Sequence, residues 1–366
     1  MTNWSQVRLT RRRALAALSL AALPAAGPAR SETTEEVLKY TGADRDRKLV
    51  DGAKKEGQVV IYSAMIVNQA LRPLAEGFMK KYPFLKATTW RADSEYLAIK
   101  IAAEVRANNV VADVVEGTGV GELVAEAKLA QPYLTPMLDA YPQKYRDADG
   151  LWAATRLSYY SIAYNTRLVA ADKVPRTYED LLDPQWRGKL AWRVGSSSGA
   201  ALFLTNLRLA WGEEKARAYF LKLREQKIVN FASGSARTLV DRVIAGEYPI
   251  ALQIFAHHPL ISKAKGAAVN SRLLAPVPTT AATMVIPKGL KHPHAAMLLV
   301  DYILSKEGQK ILLDAEYFPA HPDVPPSDLL AQIVPARANV PEQFVAPNLL
   351  NTYNESSERI YEELFR

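Results

Sequence analysis

The pattern of hydrophobic and polar positions along this chain switches repeatedly between a period of two and a period near 3.6. Residues 44–56 read as a helix stopped by Gly57. Gln58–Tyr62 is a β-branched run of the buried-strand type. From Asn68 the apolar positions Leu71, Leu74, Phe78 and Tyr82 fall at helical spacing until Pro83 ends the pattern. Residues 86–91 predict a strand, Tyr96–Ala107 a helix and Val110–Val115 a strand, after which Gly117-Thr118-Gly119 turns the chain into another helix. A second series begins near residue 154, with Leu157–Tyr164 and Lys189–Arg193 strand-like and Glu213–Glu225 helical. Thr177-Tyr178-Glu179-Asp180 is a capping signature ahead of Leu181-Leu182. A helix after Ser233-Gly234-Ser235 ends at Gly246, a strand spans Pro249–Ile254, and Arg272–Met284 is extended, a return crossing. His292-Pro293 opens a further helix with proline in its first turn. Strand and helix in alternation indicate an α/β fold with mainly parallel sheets.

The first thirty residues do not fit that alternation. Thr10-Arg11-Arg12-Arg13 precedes an apolar run, Ala14–Leu23, closed by small residues and proline up to Ala29. A basic start, a short apolar stretch and a small-residue end predict a cleaved export signal, here of the twin-arginine type, over residues 1–29. The run is about half the roughly 20 residues a spanning helix needs. The chain contains no cysteine, which excludes disulfides, thiolate metal sites and a lipidated cysteine anchor. The expectation is a freely soluble, monomeric protein of a periplasm-like compartment, with no membrane insertion after cleavage.

Cleavage also changes the charge argument. Arg8, Arg11, Arg12 and Arg13 leave with the signal, which reduces the formal +8 of the 366-residue chain to +4. Basic residues are mixed with acidic ones and form no aromatic-interleaved stripe, so no nucleic-acid partner is expected. About 340 residues exceed one compact core, and 49% hydrophobic content can fill two.

Candidate chemistry sits at strand-to-helix turns, where open α/β sheets bind ligands. Three such turns carry serine: Ser63-Ala64, Ser196-Ser197-Ser198-Gly199-Ala200, and Ser233-Gly234-Ser235. Each reads either as an N-cap or as an anion site formed by free backbone N–H groups and hydroxyls at a positive helix end. Thr118 lies in a fourth, glycine-rich turn whose spacing is wrong for a dinucleotide. Arg91 and Arg193 each end a predicted strand and read as an anion clamp or a surface ion pair. Tyr159 and Tyr160 are adjacent in a strand, so one faces the cleft and the other the core. His257-His258, read as the end of a strand, point apart and rarely grip one ion; a single imidazole, His257, is a ligand donor. Gly195–Gly199 fits G-x-S-x-G, which keeps open a serine hydrolase with Ser197 as nucleophile. A metal-dependent hydrolase using His257, His258 and a carboxylate is the other enzymatic reading. The case for catalysis is thin, and a binding protein without a cofactor is favoured.

Several segments together resemble the periplasmic substrate-binding proteins of ABC importers, in the branch of ferric-ion, thiamine, polyamine and phosphonate receptors. They are Glu56–Ser63, Ala112–Val115, Ala163–Thr166, Thr177–Lys189, Ala245-Gly246-Glu247, His292–Ala296 and Ser305–Gln309. The resemblance implies a two-lobed type II binding-protein fold in which each lobe is a mainly parallel sheet flanked by helices. Crossing strands would join a first lobe of residues 31–158 plus 279–325 to a second of 159–278, followed by a C-terminal helical and irregular extension, 326–366. It further implies ligand capture at the interlobe cleft by hinge closure, and delivery to an inner-membrane ABC permease. The ferric-ion receptors hold an anion at a Ser-Gly-Ala helix start, similar to Ser198-Gly199-Ala200, and iron through two adjacent tyrosines. Here Phe255-Ala256-His257-His258 follows Gly246-Glu247, with no tyrosine. A small anion is therefore the expected ligand, with Ser63, Ala64, Arg91, Thr118, Tyr160, Arg193, Ser197, Ser198, Gly199, Ala200, Ser235 and His257 as its contacts. The alternative within the same family is iron(III) held by His257, Tyr160 and Glu95.

Overall fold

The computed structural model describes residues 32–194, 199–232 and 234–366. Residues 1–31, which include the expected export signal, together with Gly195–Ser198 and Ser233, lie outside the described residues. Among the described residues no helix is long and apolar enough to cross a membrane.

Among the described residues twelve strands form one connected sheet: β1 Gln58–Ser63, β2 Lys86–Arg91, β3 Val114–Thr118, β4 Ala130–Gln131, β5 Trp152–Asn165, β6 Leu190–Arg193, β7 Val229–Phe231, β8 Ile250–Phe255, β9 Val269–Arg272, β10 Val277–Pro287, β11 Phe318–Pro319 and β12 Glu342–Phe344. Their main order is β2-β1-β3-β10-β5-β8-β6-β7. The outer strands pair in parallel, β1 with β2 and β3, and β6 with β7 and β8. The two central strands, β5 and β10, run antiparallel to each other. The first half of β5 pairs with β10 and β11; its second half pairs with β8 and β9. One 14-residue strand thus belongs to both halves of the molecule, which makes this a two-lobed α/β fold with crossing strands.

Each half-sheet is covered on both faces, as side-chain alternation in a strand requires. In the first lobe Val59 and Ile61 of β1 enter one core with Leu299 and Ile303, while Tyr62 enters another with Leu97 and Ile101. In the second, Ile162 and Tyr164 of β5 face a core containing Trp192 and Phe203, and Ala163 faces Ala191 and Leu239.

Most expected elements form, and the differences have local causes. The helix expected from Asn68 begins as a single π turn, Val67–Leu71, before Arg72–Lys81 with Pro73 in its first turn. The strand expected from Val110 starts only at Val114. The carboxylate of buried Asp113 accepts a hydrogen bond from Val60 N at 2.8 Å, which takes the donor a longer ladder would use. At Thr177–Asp180 the capping box is real: Asp180 N donates to Thr177 Oγ1 at 3.1 Å and Thr177 N to Asp180 Oδ2 at 3.0 Å. Gly57 and Gly246 end their helices at φ 68° and 84°, the left-handed conformation that glycine adopts without Cβ strain.

The chain beyond residue 326 is built into the fold. β12 pairs with β10, and the Pro347–Phe365 helix packs on the Ala200–Trp211 helix. Arg208 Nη1 donates to Ser357 Oγ at 2.7 Å, and the Phe365 ring lies 4.8 Å from that of Trp192.

The helix Pro293–Leu304 is fixed at its start by Glu56, which accepts from His294 N at 3.1 Å and Ala295 N at 2.7 Å. A carboxylate suits the positive end of a helix. Glu56→Ala is expected to cost about 1–3 kcal/mol, read as a lower urea midpoint with an unchanged slope.

Candidate functional site

The sheet registers place a band of polar side chains across the centre of the molecule. Ser63 of β1 stands opposite Glu116 of β3. Thr118 of β3 stands opposite Ala282 of β10, and Ala282 opposite Arg156 of β5. Further along β5, Tyr160 stands opposite Phe255, the last residue of β8. The carboxyl ends of β3 and β8 therefore meet the crossing strands, with β1 and β6 one strand further out on either side.

At the middle of this band is a buried ion pair. Glu116 is fully buried and Arg156 is 7% exposed, with Arg156 Nε 3.2 Å from Glu116 Oε1. Arg156 Nε makes no hydrogen bond among the described residues, and Glu116 accepts instead from Ser63 Oγ at 2.6 Å and Thr155 Oγ1 at 3.0 Å. Burying two charges is tolerable only with such added donors. The Arg156 guanidinium lies over the Tyr317 ring, 4.8 Å from its centroid, a cation–π contact. Neither terminal nitrogen of Arg156 forms a hydrogen bond among the described residues. A planar fork of donors that no protein group among the described residues occupies suits a carboxylate or phosphate oxygen pair.

Two imidazoles adjoin it. His257 and His258 open the helix His257–Ala264 rather than ending a strand, because β8 stops at Phe255 and Pro259 fits a first helical turn. Their rings do not point apart; the centroids are 4.4 Å from each other. The Phe255 ring lies 5.8 Å from His257 and 5.4 Å from His258. Nδ1 of each histidine is buried without a hydrogen-bond partner among the described residues. Burial, followed by His258, Arg156 and Arg237, holds His257 well below the ordinary imidazole range. Burial and Arg237 push His258 down to about 3. Both rings are neutral at physiological pH and offer a donor and an acceptor.

The other sequence-derived candidates take varied places around this centre. Ser63 is fully buried and its hydroxyl serves Glu116 and Met65 N. Ala64 N donates to Glu116 O at 3.0 Å, and Thr118 N to Ser94 Oγ at 3.0 Å. Tyr160 is buried, with its hydroxyl 3.4 Å from Thr280 Oγ1 and its ring 4.9 Å from Phe255; burial pushes the phenol up to about 12. Tyr159 faces the opposite core, edge-on to Phe318. Arg193 Nε donates to Gly234 O at 3.1 Å, which ties the end of β6 to the next turn. Ser235 caps the Ala236–Ala245 helix by accepting from Thr238 N at 3.2 Å. Gly199 and Ala200 begin the Ala200–Trp211 helix without a side-chain cap; Ser197 and Ser198 lie outside the described residues. Arg91 pairs with Asp93 at 2.8 Å on an exposed edge, the surface ion pair. Glu95 is exposed in the first turn of the Ser94–Arg106 helix and adds to the charge around Glu358. Glu116, Arg156, Arg237 and Tyr317 are the site residues that sequence patterns do not single out. Among the described residues no group of three or more His, Asp or Glu side chains is arranged to hold a metal ion.

Comparison with known proteins agrees with this geometry. Residues 110–342 match the family model of the bacterial extracellular solute-binding proteins. The Fe(3+)-binding periplasmic protein of Serratia marcescens is 24% identical over 268 residues, 71% of this chain and 77% of that protein. An uncharacterised Haemophilus influenzae protein is 28% identical over 276 residues, 71% and 76% of the two chains. Iron-bound HitA from Pseudomonas aeruginosa superposes with a TM-score of 0.72 at 20% identity, covering 84% of this chain and 99% of that one. The periplasmic binding protein AfuA from Actinobacillus pleuropneumoniae, with fructose-6-phosphate bound, gives 0.71 at 23% identity over 85% and 99%. A buried polar band at the crossing strands of a two-lobed fold, and a family match over most of the chain, make this protein a member of the bacterial extracellular solute-binding protein family.

Proposed function

We propose that this receptor captures a small anion between its lobes, closes about β5 and β10, and hands the ligand to an ABC permease. The observation that carries the reading is Arg156. The residue is buried, pairs with Glu116 and lies over the Tyr317 ring, and its two terminal nitrogens have no hydrogen-bond partner among the described residues. Neutral His257 and His258, and the helix start at Gly199-Ala200, which has no side-chain cap among the described residues, supply further donors that suit an anion. We assign residues 31–158 with 279–325 to the first lobe and 159–278 to the second. The protein acts as a monomer, exported through its twin-arginine signal, and turns nothing over.

The test is ligand-dependent stabilisation. A panel of phosphate, phosphate esters, phosphonates and carboxylates is expected to contain one compound that raises unfolding free energy by about 2.7 kcal/mol at a hundredfold excess over its Kd. Native mass spectrometry of protein taken from its host compartment identifies that compound directly. Indifference to every anion in the panel would remove the anion reading.

Iron(III) is the second reading, favoured by the relatives whose names record iron binding. It would use Tyr160, His257 and Glu95. A tyrosinate-to-iron band in the visible spectrum on adding ferric citrate supports it; a colourless protein rejects it.

A further inference from the structure

The strand that delivers the histidines contains an irregularity. In β8, Tyr164 pairs with Ile250 and Ala163 with Ala251, but Ser161 pairs with Ile254 and Tyr160 with Phe255. Two residues, Leu252 and Gln253, therefore face the single Ile162, which is a β-bulge. Gln253 has φ 54°, a left-handed conformation that costs energy for a residue other than glycine and that asparagine tolerates better. It is 4% exposed, and its Nε2 has no hydrogen-bond partner among the described residues. Its side chain lines a small cavity with Tyr160, Tyr178, Phe203 and Leu274, in the second lobe beside the crossing strand. The parallel register of β8 with β6 ends at Leu252, immediately before it. A strained, buried, unsatisfied residue persists only where its surroundings over-determine it.

The bulge sets the facing of every later residue in β8. Side chains along a strand alternate in face, so a one-residue change of register inverts each position beyond it. Without the extra residue Ile254 would stand opposite Tyr160, and Phe255 would leave the Tyr160 ring that lies 4.9 Å away. The Phe255 ring is also the surface against which both imidazoles pack.

We infer that Gln253 is a positioning residue: its left-handed bulge turns the end of β8 so that Phe255, His257 and His258 reach the interlobe site. This rests on the reading of that site as the ligand site. What positions them is the backbone conformation rather than the amide, which leads to an unusual order of tolerance: glycine and asparagine are accepted and a β-branched residue is not.

The experiment compares Gln253→Gly, Gln253→Asn and Gln253→Val in the full mature chain. The readouts are thermal unfolding and the carbon-bound proton resonances of the imidazoles. Five histidines in the chain keep that spectrum readable, and ring currents from Phe255 mark His257 and His258. The glycine and asparagine variants are expected to keep both sets of shifts with an equal or higher Tm. The valine variant is expected to lose several degrees and displace both sets. Displaced histidines in the glycine variant, or undisturbed ones in a folded valine variant, overturn the inference. Binding of inorganic phosphate and of phosphate esters is measured on the same samples. A wild-type chain indifferent to both counts against the anion reading alone and leaves the histidine result standing.

Discussion

Arg156→Met is expected to be the most damaging single substitution at the site, in stability and in binding together. Glu116 is fully buried beside it. Losing the guanidinium leaves a carboxylate held, among the described residues, by the hydroxyls of Ser63 and Thr155. Breaking a buried pair by removing one partner costs about 3–5 kcal/mol, whereas replacing both partners with uncharged residues is often close to neutral. The double variant Glu116→Gln/Arg156→Met should therefore recover most of the lost stability. It should not recover binding, because the donor fork is gone in both variants. Bonds to a charged group are each worth about 1.5–3 kcal/mol, so affinity for the anion proposed as ligand is expected to fall roughly tenfold to more than a hundredfold. Urea unfolding and calorimetric titration of the wild type and both variants separate the effects. An unaltered Kd in the double variant would show that Arg156 serves the fold and not the ligand.

Why sequence patterns pass over this pair is a matter of distance along the chain. Periodicity finds elements, since burial of one face is written into neighbouring residues; that is why β1, β2 and the Arg45–Glu56 helix are legible to within a residue. Glu116 and Arg156 are 40 residues apart in sequence and meet only because their strands flank β10 in the sheet. One signal is present. Arg156 is the single charge in the 14-residue strand Trp152–Asn165, nearly all of it buried, and a charge there demands a partner. The histidine pair is misread for a local reason: Phe255 and Ala256 extend an apolar run, and Pro259, which suits a helix start, outweighs them. The serine-bearing turns show the converse. Ser235 is a cap and Ser63 an internal hydrogen-bond donor, so the residue type is identified and its partner is not. The bulge at Gln253 has no sequence signature, because glutamine is not a residue the left-handed region favours.

A steep loss of stability with rising pH is expected from Glu122. It lies in the Val120–Glu126 helix, 3% exposed, and accepts from Thr283 Oγ1 at 2.7 Å while its Oε1 has no partner among the described residues. Burial pushes its carboxyl from an ordinary 4.5 up to about 8, with the Thr283 bond opposing and Glu126 and Asp147 adding slightly. Below about pH 4.5 the group is protonated in both folded and unfolded chains. Between 4.5 and 8 the folded chain keeps a proton that the unfolded chain has released. Proton uptake thus favours folding throughout that window, and this group's contribution is lost as pH rises, by about 1.4 kcal/mol for each unit. Over the window that amounts to several kcal/mol, a large share of the 5–15 kcal/mol typical of a folded protein. Glu122→Gln keeps the shape and removes the titration. It is expected to match the wild type near pH 5 and to exceed it by several kcal/mol near pH 8, with a flatter profile between. Urea midpoints at pH 5, 6.5 and 8 measure the difference. Parallel profiles for the two proteins would mean that Glu122 is already ionised in the folded chain. Its unpartnered oxygen would then have to be reached by a donor, such as a water entering beside Thr283.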